Sequence, residues 1–351
     1  MAGKLVNVEA GRGIAALLVV LYHAEKYYFG SEKYWTDGAL GGLFRFGHAG
    51  VEFFFVLSGY IMYAVHKRDI GNPAKVMPFV QKRFDRIYPF FWLVLAVTAA
   101  LYFAVPSAGE AIYRDPWMIL QSALLLGWEP LNAVVFVSWT MWHEVLFYAL
   151  CALVIAAPRV GVVAFGIWIA ASAIVTLSGF KAPWPTYWTM FVNVLFALGV
   201  GASVILERHR VPFPRLTLAL GAVIFFGTGL VSNNVELAEP VTNSLFGLGA
   251  TLALLGGVQS ERDGHLRAPQ WLVTLGAASF AIYLTHMLSL TALAKIAAFL
   301  RLPDFVPAPL GYAGLVVGAT LAGVAIHFLV ERHLMGLTQR WGRRRAAAAA
   351  G

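Results

Sequence analysis

Residues 9–23 read Glu9-Ala10-Gly11-Arg12-Gly13-Ile14-Ala15-Ala16-Leu17-Leu18-Val19-Val20-Leu21-Tyr22-His23, and the ten residues between Arg12 and His23 carry no charge. On an α-helix eleven residues make almost three turns, so both side chains leave nearly the same face, roughly 16 Å apart along the axis. Such a helix crosses a bilayer with a cation near one surface and an imidazole near mid-depth. An ionisable group held there points to a functional site. Each residue also has a plainer reading: Arg12 as an interfacial anchor, His23 as a helix-end histidine just ahead of Glu25 and Lys26.

The rest of the chain fits a membrane protein. Of 351 residues, 59% are hydrophobic and 13% charged, and mean hydropathy is +0.71. A soluble domain carries about 25% charged residues. Ten apolar segments reach, or nearly reach, spanning length: 12–29, 49–66, 88–106, 134–157, 160–178, 187–206, 216–232, 242–258, 274–299 and 310–331. Residues 118–127 are too short to span and read as re-entrant or interfacial. No small-x-small cleavage site follows the first segment, so it is expected to be retained rather than removed as a signal peptide. The expected fold is all-α, polytopic, with one membrane domain over 1–335 and a basic low-complexity tail over 336–351.

Charge placement orients the bundle. With ten spans and an inner N-terminus, the inner segments hold 19 of the 26 Lys and Arg and the outer ones seven. That bias puts both termini in the cytoplasm. Because the basic residues cluster in short inter-span loops, with no aromatic-interleaved surface, the net charge of +8 reflects membrane topology rather than nucleic-acid binding. The single cysteine, Cys151, excludes an intramolecular disulfide and a thiolate metal site. No metal is expected.

Four further stretches carry chemistry. In Gln81-Lys82-Arg83-Phe84-Asp85-Arg86-Ile87-Tyr88-Pro89, Arg83 and Arg86 share a helix face at the inner surface. Guanidinium groups bind phosphates bidentately, so a phosphate-bearing donor such as coenzyme A fits there, although a plain positive-inside cluster reads the same way. Residues 47–60 bring Glu52 into the second span from outside, with Ser58 and Gly59 near its middle; small residues there let helices approach closely. In residues 138–148, Glu144 lies about ten residues, roughly 15 Å, into its span, a depth compatible with His23. The two make either a base and its orienting acid or a structural ion pair. His143 points about 100° away from Glu144. His286, in residues 279–286, also falls near mid-membrane as a site residue or a packing histidine. His327 reads as structural.

In this order the motifs resemble the acyltransferase 3 family of integral membrane acyltransferases, over essentially the whole chain. The pattern closest in look is that of the exopolysaccharide-production members. The family's Arg-x10-His corresponds to Arg12 and His23. Its Arg-x-x-Arg-Ile-x-Pro corresponds to Arg83, Arg86, Ile87 and Pro89. Its Gly-Val-acid-x-Phe-Phe-Val-Leu-Ser-Gly-aromatic stretch corresponds to Gly50, Val51, Glu52 and Phe54 through Tyr60, and its Ser-Ile-Tyr-Leu-x-His pattern to Phe280–His286. There are departures. Where many members carry an adjacent acidic pair, this chain has His143-Glu144, and where members often have Asp it has Glu52. The extracytoplasmic hydrolase-like domain of some members is not expected here, with transfer to the acceptor expected directly from the membrane domain.

The resemblance implies an acyl-CoA donor, acetyl-CoA being the expected one, and a carbohydrate or lipid-linked glycan acceptor. It implies a catalytic histidine, His23, in the inner membrane of a bacterium. On this expectation Glu144 orients His23; Arg12, Arg83 and Arg86 hold the donor; and Glu52, Ser58 and His286 line the site. Membrane lipid is the other expected partner, and no nucleic acid is. The competing classes are a proton-coupled transporter, which also uses intramembrane His and Glu, and a structural subunit of a polysaccharide export machine. A transporter would more often show inverted repeats, and none stands out.

Overall fold

The computed structural model describes residues 5–31, 33–127, 133–180 and 186–338. Lys4, Lys181 and the basic residues of the tail from Arg340 onward lie outside these. Among the described residues there are twelve α-helices and no β-strand: α1 (Val6–Tyr28), α2 (Gly50–His66), α3 (Val76–Ala104), α4 (Pro116–Leu124), α5 (Trp139–Ala156), α6 (Pro158–Ser178), α7 (Val194–Arg208), α8 (Pro214–Ser232), α9 (Glu239–Arg262), α10 (Gln270–Ala277), α11 (Ser279–Phe299) and α12 (Ala308–Ile326). Helix α12 runs on through a π-helical turn, His327–Glu331. Nine of the helical segments described are long and apolar enough to cross a membrane, and the protein is an integral membrane protein.

Helix α1, the first expected span, is not among the nine, although it is 23 residues long. Glu9, Arg12, Glu25 and Lys26 all lie within it, and they lower its hydropathy. What those charges touch therefore matters more than for any other span.

The chain divides into two compact units, Met1–Lys67 with Phe191–Val324, and Arg68–Met190 with Ala325–Gly351. In the first, α1 packs on α2, α9, α10 and α11, α2 packs on α7, and α8 packs on α9. Glycines permit the closest of these approaches. A Cβ on Gly199 of α7 would stand 1.8 Å from the carbonyl oxygen of Val56, and one on Gly59 of α2 would stand 2.1 Å from that of Phe196. The two backbones meet reciprocally, as small residues in spanning helices allow. A second core joins Ala16, Val20 and Ala24 of α1 to Ile282, Leu290 and Ala294 of α11 and to Tyr312, Leu315 and Ala319 of α12.

The expected 274–299 span is two helices. The apolar run is continuous, but α10 ends at Ala277 and α11 begins at Ser279. Just before the break, Gly276 lies so close to α1 that a Cβ there would be 1.8 Å from the Glu9 carbonyl oxygen. The N-terminus of α1 is satisfied in turn by α9. The Glu261 carboxylate accepts from the backbone N–H groups of Val6 (2.7 Å) and Asn7 (2.8 Å), donors a helix leaves without partners of its own. Beyond α9, Asp263 accepts from Gln259 and pairs with Arg210 at 3.0 Å. Those contacts hold its carboxyl below the usual range.

In the second unit α3 packs on α4 and α5, and α5 packs on α6. Helix α3 starts at Val76, so the Arg83–Arg86 motif lies inside the helix rather than ahead of it. Helix α4, nine residues long, is too short to span. Its last carbonyls accept from the Trp92 indole (Ala123, 2.8 Å) and the Tyr88 hydroxyl (Leu124, 3.3 Å). Helix α6 exposes Val160, Val162, Val163, Ile167, Ile174 and Leu177, as a lipid-facing helix does, since only a helix satisfies its own backbone in hydrocarbon.

Candidate active site

Two polar groups of α1 that share one stripe have partners on a neighbouring helix of its unit. Arg12 donates through Nε to Ser279 Oγ at 3.2 Å. Eleven residues on, His23 meets His286, with Nδ1 and Nε2 3.1 Å apart. Ser279 and His286 are two turns apart on α11, so one helix receives both members of the α1 stripe. Both histidines are buried, His286 fully.

The hydrogen bonds fix the protonation pattern of the pair. His286 Nδ1 lies 2.6 Å from the carbonyl oxygen of Tyr283. A carbonyl only accepts, so this nitrogen carries the proton and Nε2 of the neutral ring carries the lone pair. Facing that lone pair, His23 Nδ1 must donate. It also lies 2.9 Å from the carbonyl oxygen of Val19, a second acceptor, so its N–H is shared between the two. The basic nitrogen of His23 is therefore Nε2. Taking a proton there leaves the Nδ1–H bond to His286 intact, and the resulting imidazolium keeps a neutral acceptor against it. This partnership is not visible in the sequence, where His286 reads as a site residue or a packing histidine.

Around His23 stands a rim of aromatic and charged groups. The Tyr22 ring meets the His23 ring edge-on at 4.8 Å and the His48 ring at 5.5 Å, and the Tyr27 ring stacks on His23 at 5.9 Å. Lys26 Nζ donates to the Tyr22 hydroxyl at 2.9 Å and sits over the faces of both tyrosines. His48 Nδ1 is 3.5 Å from Glu52 Oε1. Glu52 is buried in the first turn of α2. Ser58 is half-buried further along that helix.

In the second unit the expected basic site is built on ring faces. The Arg83 guanidinium lies over the rings of Phe79 (5.7 Å) and Tyr148 (5.6 Å), a cation–π arrangement. The Tyr148 hydroxyl donates to Glu144, one turn earlier on α5, and Arg86 acts electrostatically on the same phenol. Arg83, Arg86 and Glu144 are half-buried, and Lys82 is exposed. Glu144 thus belongs to the cluster that contains the Arg pair. His143 is fully buried between the rings of Trp139 and Tyr187. Among the described residues no group of three or more His, Cys, Asp or Glu side chains is placed to hold a metal ion.

A polytopic helical membrane protein that buries a hydrogen-bonded histidine pair, and that separately holds a guanidinium against aromatic rings, has the parts of a membrane-embedded group-transfer enzyme. The chain belongs to the acyltransferase 3 family: the family's acyltransferase-domain model matches residues 5–328, and the protein is an acyltransferase. It is similar to the exopolysaccharide production protein ExoZ of Rhizobium meliloti (strain 1021), 29% identical over 321 residues, covering 88% of this chain and 95% of that protein. It is also similar to protein 2 in the picA locus of Rhizobium radiobacter, 26% identical over 168 residues, covering 42% of this chain and 81% of the relative. No solved structure matches.

Proposed function

We propose that this protein moves an acyl group, acetyl in the first instance, from cytoplasmic acyl-CoA to a hydroxyl of an exopolysaccharide unit or its lipid-linked precursor. The observation that carries the reading is the tautomer of His23, whose Nδ1–H bonds to Val19 and His286 leave Nε2 as the base. The acceptor oxygen attacks the thioester carbonyl carbon as Nε2 takes its proton. The C–S bond then breaks, and the departing thiolate is protonated from the imidazolium to give free coenzyme A. General-base help of this kind is worth about 10² to 10⁴ in rate.

Arg83 and Arg86 bind phosphates of the donor, and Arg12 supplies a second cation along the thioester's path. A guanidinium is planar and presents its N–H donors as a rigid fork, the geometry a phosphate uses. His286 orients His23. Glu144 holds the Arg83 site through Tyr148 and contributes negative charge to it. The Lys and Arg bias supports cytoplasmic termini, and on this reading the protein sits in a bacterial inner membrane. The similarity to ExoZ supports the polysaccharide acceptor. The test is transfer from radiolabelled acetyl-CoA to surface glycan in membranes carrying the wild-type protein or His23→Asn. Loss of transfer in the variant is expected, and full transfer would overturn the base assignment.

A further inference from the structure

Glu52 is 5% exposed, yet its Oε2 has no hydrogen-bond partner. A buried carboxylate oxygen with nothing donating to it is unfavourable, and a donor arriving from outside the chain would relieve it. Its surroundings say what kind. Oε1 already faces His48 Nδ1 at 3.5 Å. The His48 ring abuts Tyr22, and Tyr22 abuts His23. This end of α2 lies directly on α1: a Cβ on Gly50 would be 2.3 Å from the Ala15 carbonyl oxygen, and one on Gly47 would be 2.3 Å from that of Leu18. Glu52 and the proposed base therefore flank the same short stretch of α1. On the rim Tyr27 is 37% exposed, and Lys26 braces it beside Tyr22.

The geometry points to Glu52 and the Tyr22–Tyr27 pair as the acceptor subsite, shaped for a polyhydroxylated ring. One hydroxyl gives its proton to His23 Nε2 as it attacks. A neighbouring hydroxyl of the same ring donates to Glu52 Oε2 and is not consumed. The apolar face of the ring lies against tyrosine. This assignment rests on the reading of His23 as the base of an acyl transfer and extends it to how the acceptor is held. Glu52 is a positioning residue here, because it takes no part in the bonds that form or break.

The experiment uses the full-length protein in lipid nanodiscs, with acetyl-CoA as donor and methyl β-D-glucopyranoside and methyl β-D-galactopyranoside as acceptors. Donor and acceptor concentrations are varied independently. Glu52→Gln keeps the size but weakens acceptance; the KM for the glycoside should rise about tenfold or more, while the KM for acetyl-CoA moves less than twofold. Glu52→Asp should recover part of the loss. Tyr27→Ala, an exposed position where folding is safe, should raise glycoside KM about threefold through lost stacking area and serves if the Glu52 variants do not fold. A glycoside KM unchanged in Glu52→Gln and Tyr27→Ala overturns the subsite, as does wild-type protein that releases thiol from acetyl-CoA without any response to glycoside. Wild-type protein that releases no thiol at all, with or without glycoside, overturns instead the acyl-transfer reading beneath it.

Discussion

The two units handle buried charge in opposite ways. On α1 three sites are matched atom to atom: Arg12 to Ser279, His23 to His286 and Val19, and the helix N-terminus to Glu261. On α3 and α5 a permanent cation is held by the faces of Phe79 and Tyr148, with a carboxylate one bond away through a phenol. The first arrangement fixes where a single proton sits, which proton transfer requires. The second holds a guanidinium by the faces of two rings. On the proposed reading, chemistry and donor binding make different demands on hydrogen bonding, and each unit would meet one of them.

The largest effect should come from breaking the proton site. His23→Asn or His23→Ala should lower kcat about 10² to 10⁴-fold with the KM for acetyl-CoA nearly unchanged, measured by thiol release in nanodiscs. A fall in donor affinity in place of kcat would mean that the histidine binds rather than reacts. Next in size is the double variant Arg83→Ala with Arg86→Ala. A single charge-assisted hydrogen bond is worth about 1.5 to 3 kcal/mol, so donor KM should rise at least on the order of tenfold to a hundredfold. Arg83→Lys should restore little, because an ammonium neither stacks nor forks. Equal donor KM in the Lys and Arg forms would show that only the charge counts.

How far the sequence reveals this division depends on distance along the chain. The α1 stripe was legible because polar residues cost too much in a span to sit there without a purpose, and the 3.6 repeat puts Arg12 and His23 on one face. The pairing of His23 with His286 was not legible, because 263 positions separate them and no spacing rule says which helices meet. The Arg83–Tyr148 stacking was hidden for the same reason. Two contacts are within reach of the sequence: Tyr148 stands four residues after Glu144, and Glu52 four after His48, each one helical turn. Depth in the span draws attention to both carboxylates before their neighbours do. The α10–α11 break had no local signal, because an apolar run reads as one span until Gly276 is seen against the α1 backbone.

A third prediction sharpens the contrast within the histidine pair. His286→Ala removes the acceptor from Nδ1 of His23 and should lower kcat about tenfold to a hundredfold, as the ring loses its fixed tautomer. His286→Gln offers a side-chain oxygen in a similar place and should recover part of that rate. If His286 only filled space, Ala and Gln would fall together and the pH–rate profile would keep its shape. The expected result is instead a shift of the acid limb in His286→Ala, since the partner that steadies the His23 imidazolium is gone.

The smallest effect should come from Tyr148→Phe. It keeps the ring under the Arg83 guanidinium and deletes only the hydroxyl that donates to Glu144. Cation–π attraction therefore survives, and the lost hydrogen bond is worth about 0.5 to 1.5 kcal/mol, or about two- to tenfold in donor KM with kcat nearly level. Tyr148→Leu removes the π face as well and should weaken the donor further. Were Phe as damaging as Leu, the carboxylate rather than the ring would be what holds Arg83, and the second unit would depend on matched hydrogen bonds as the first does.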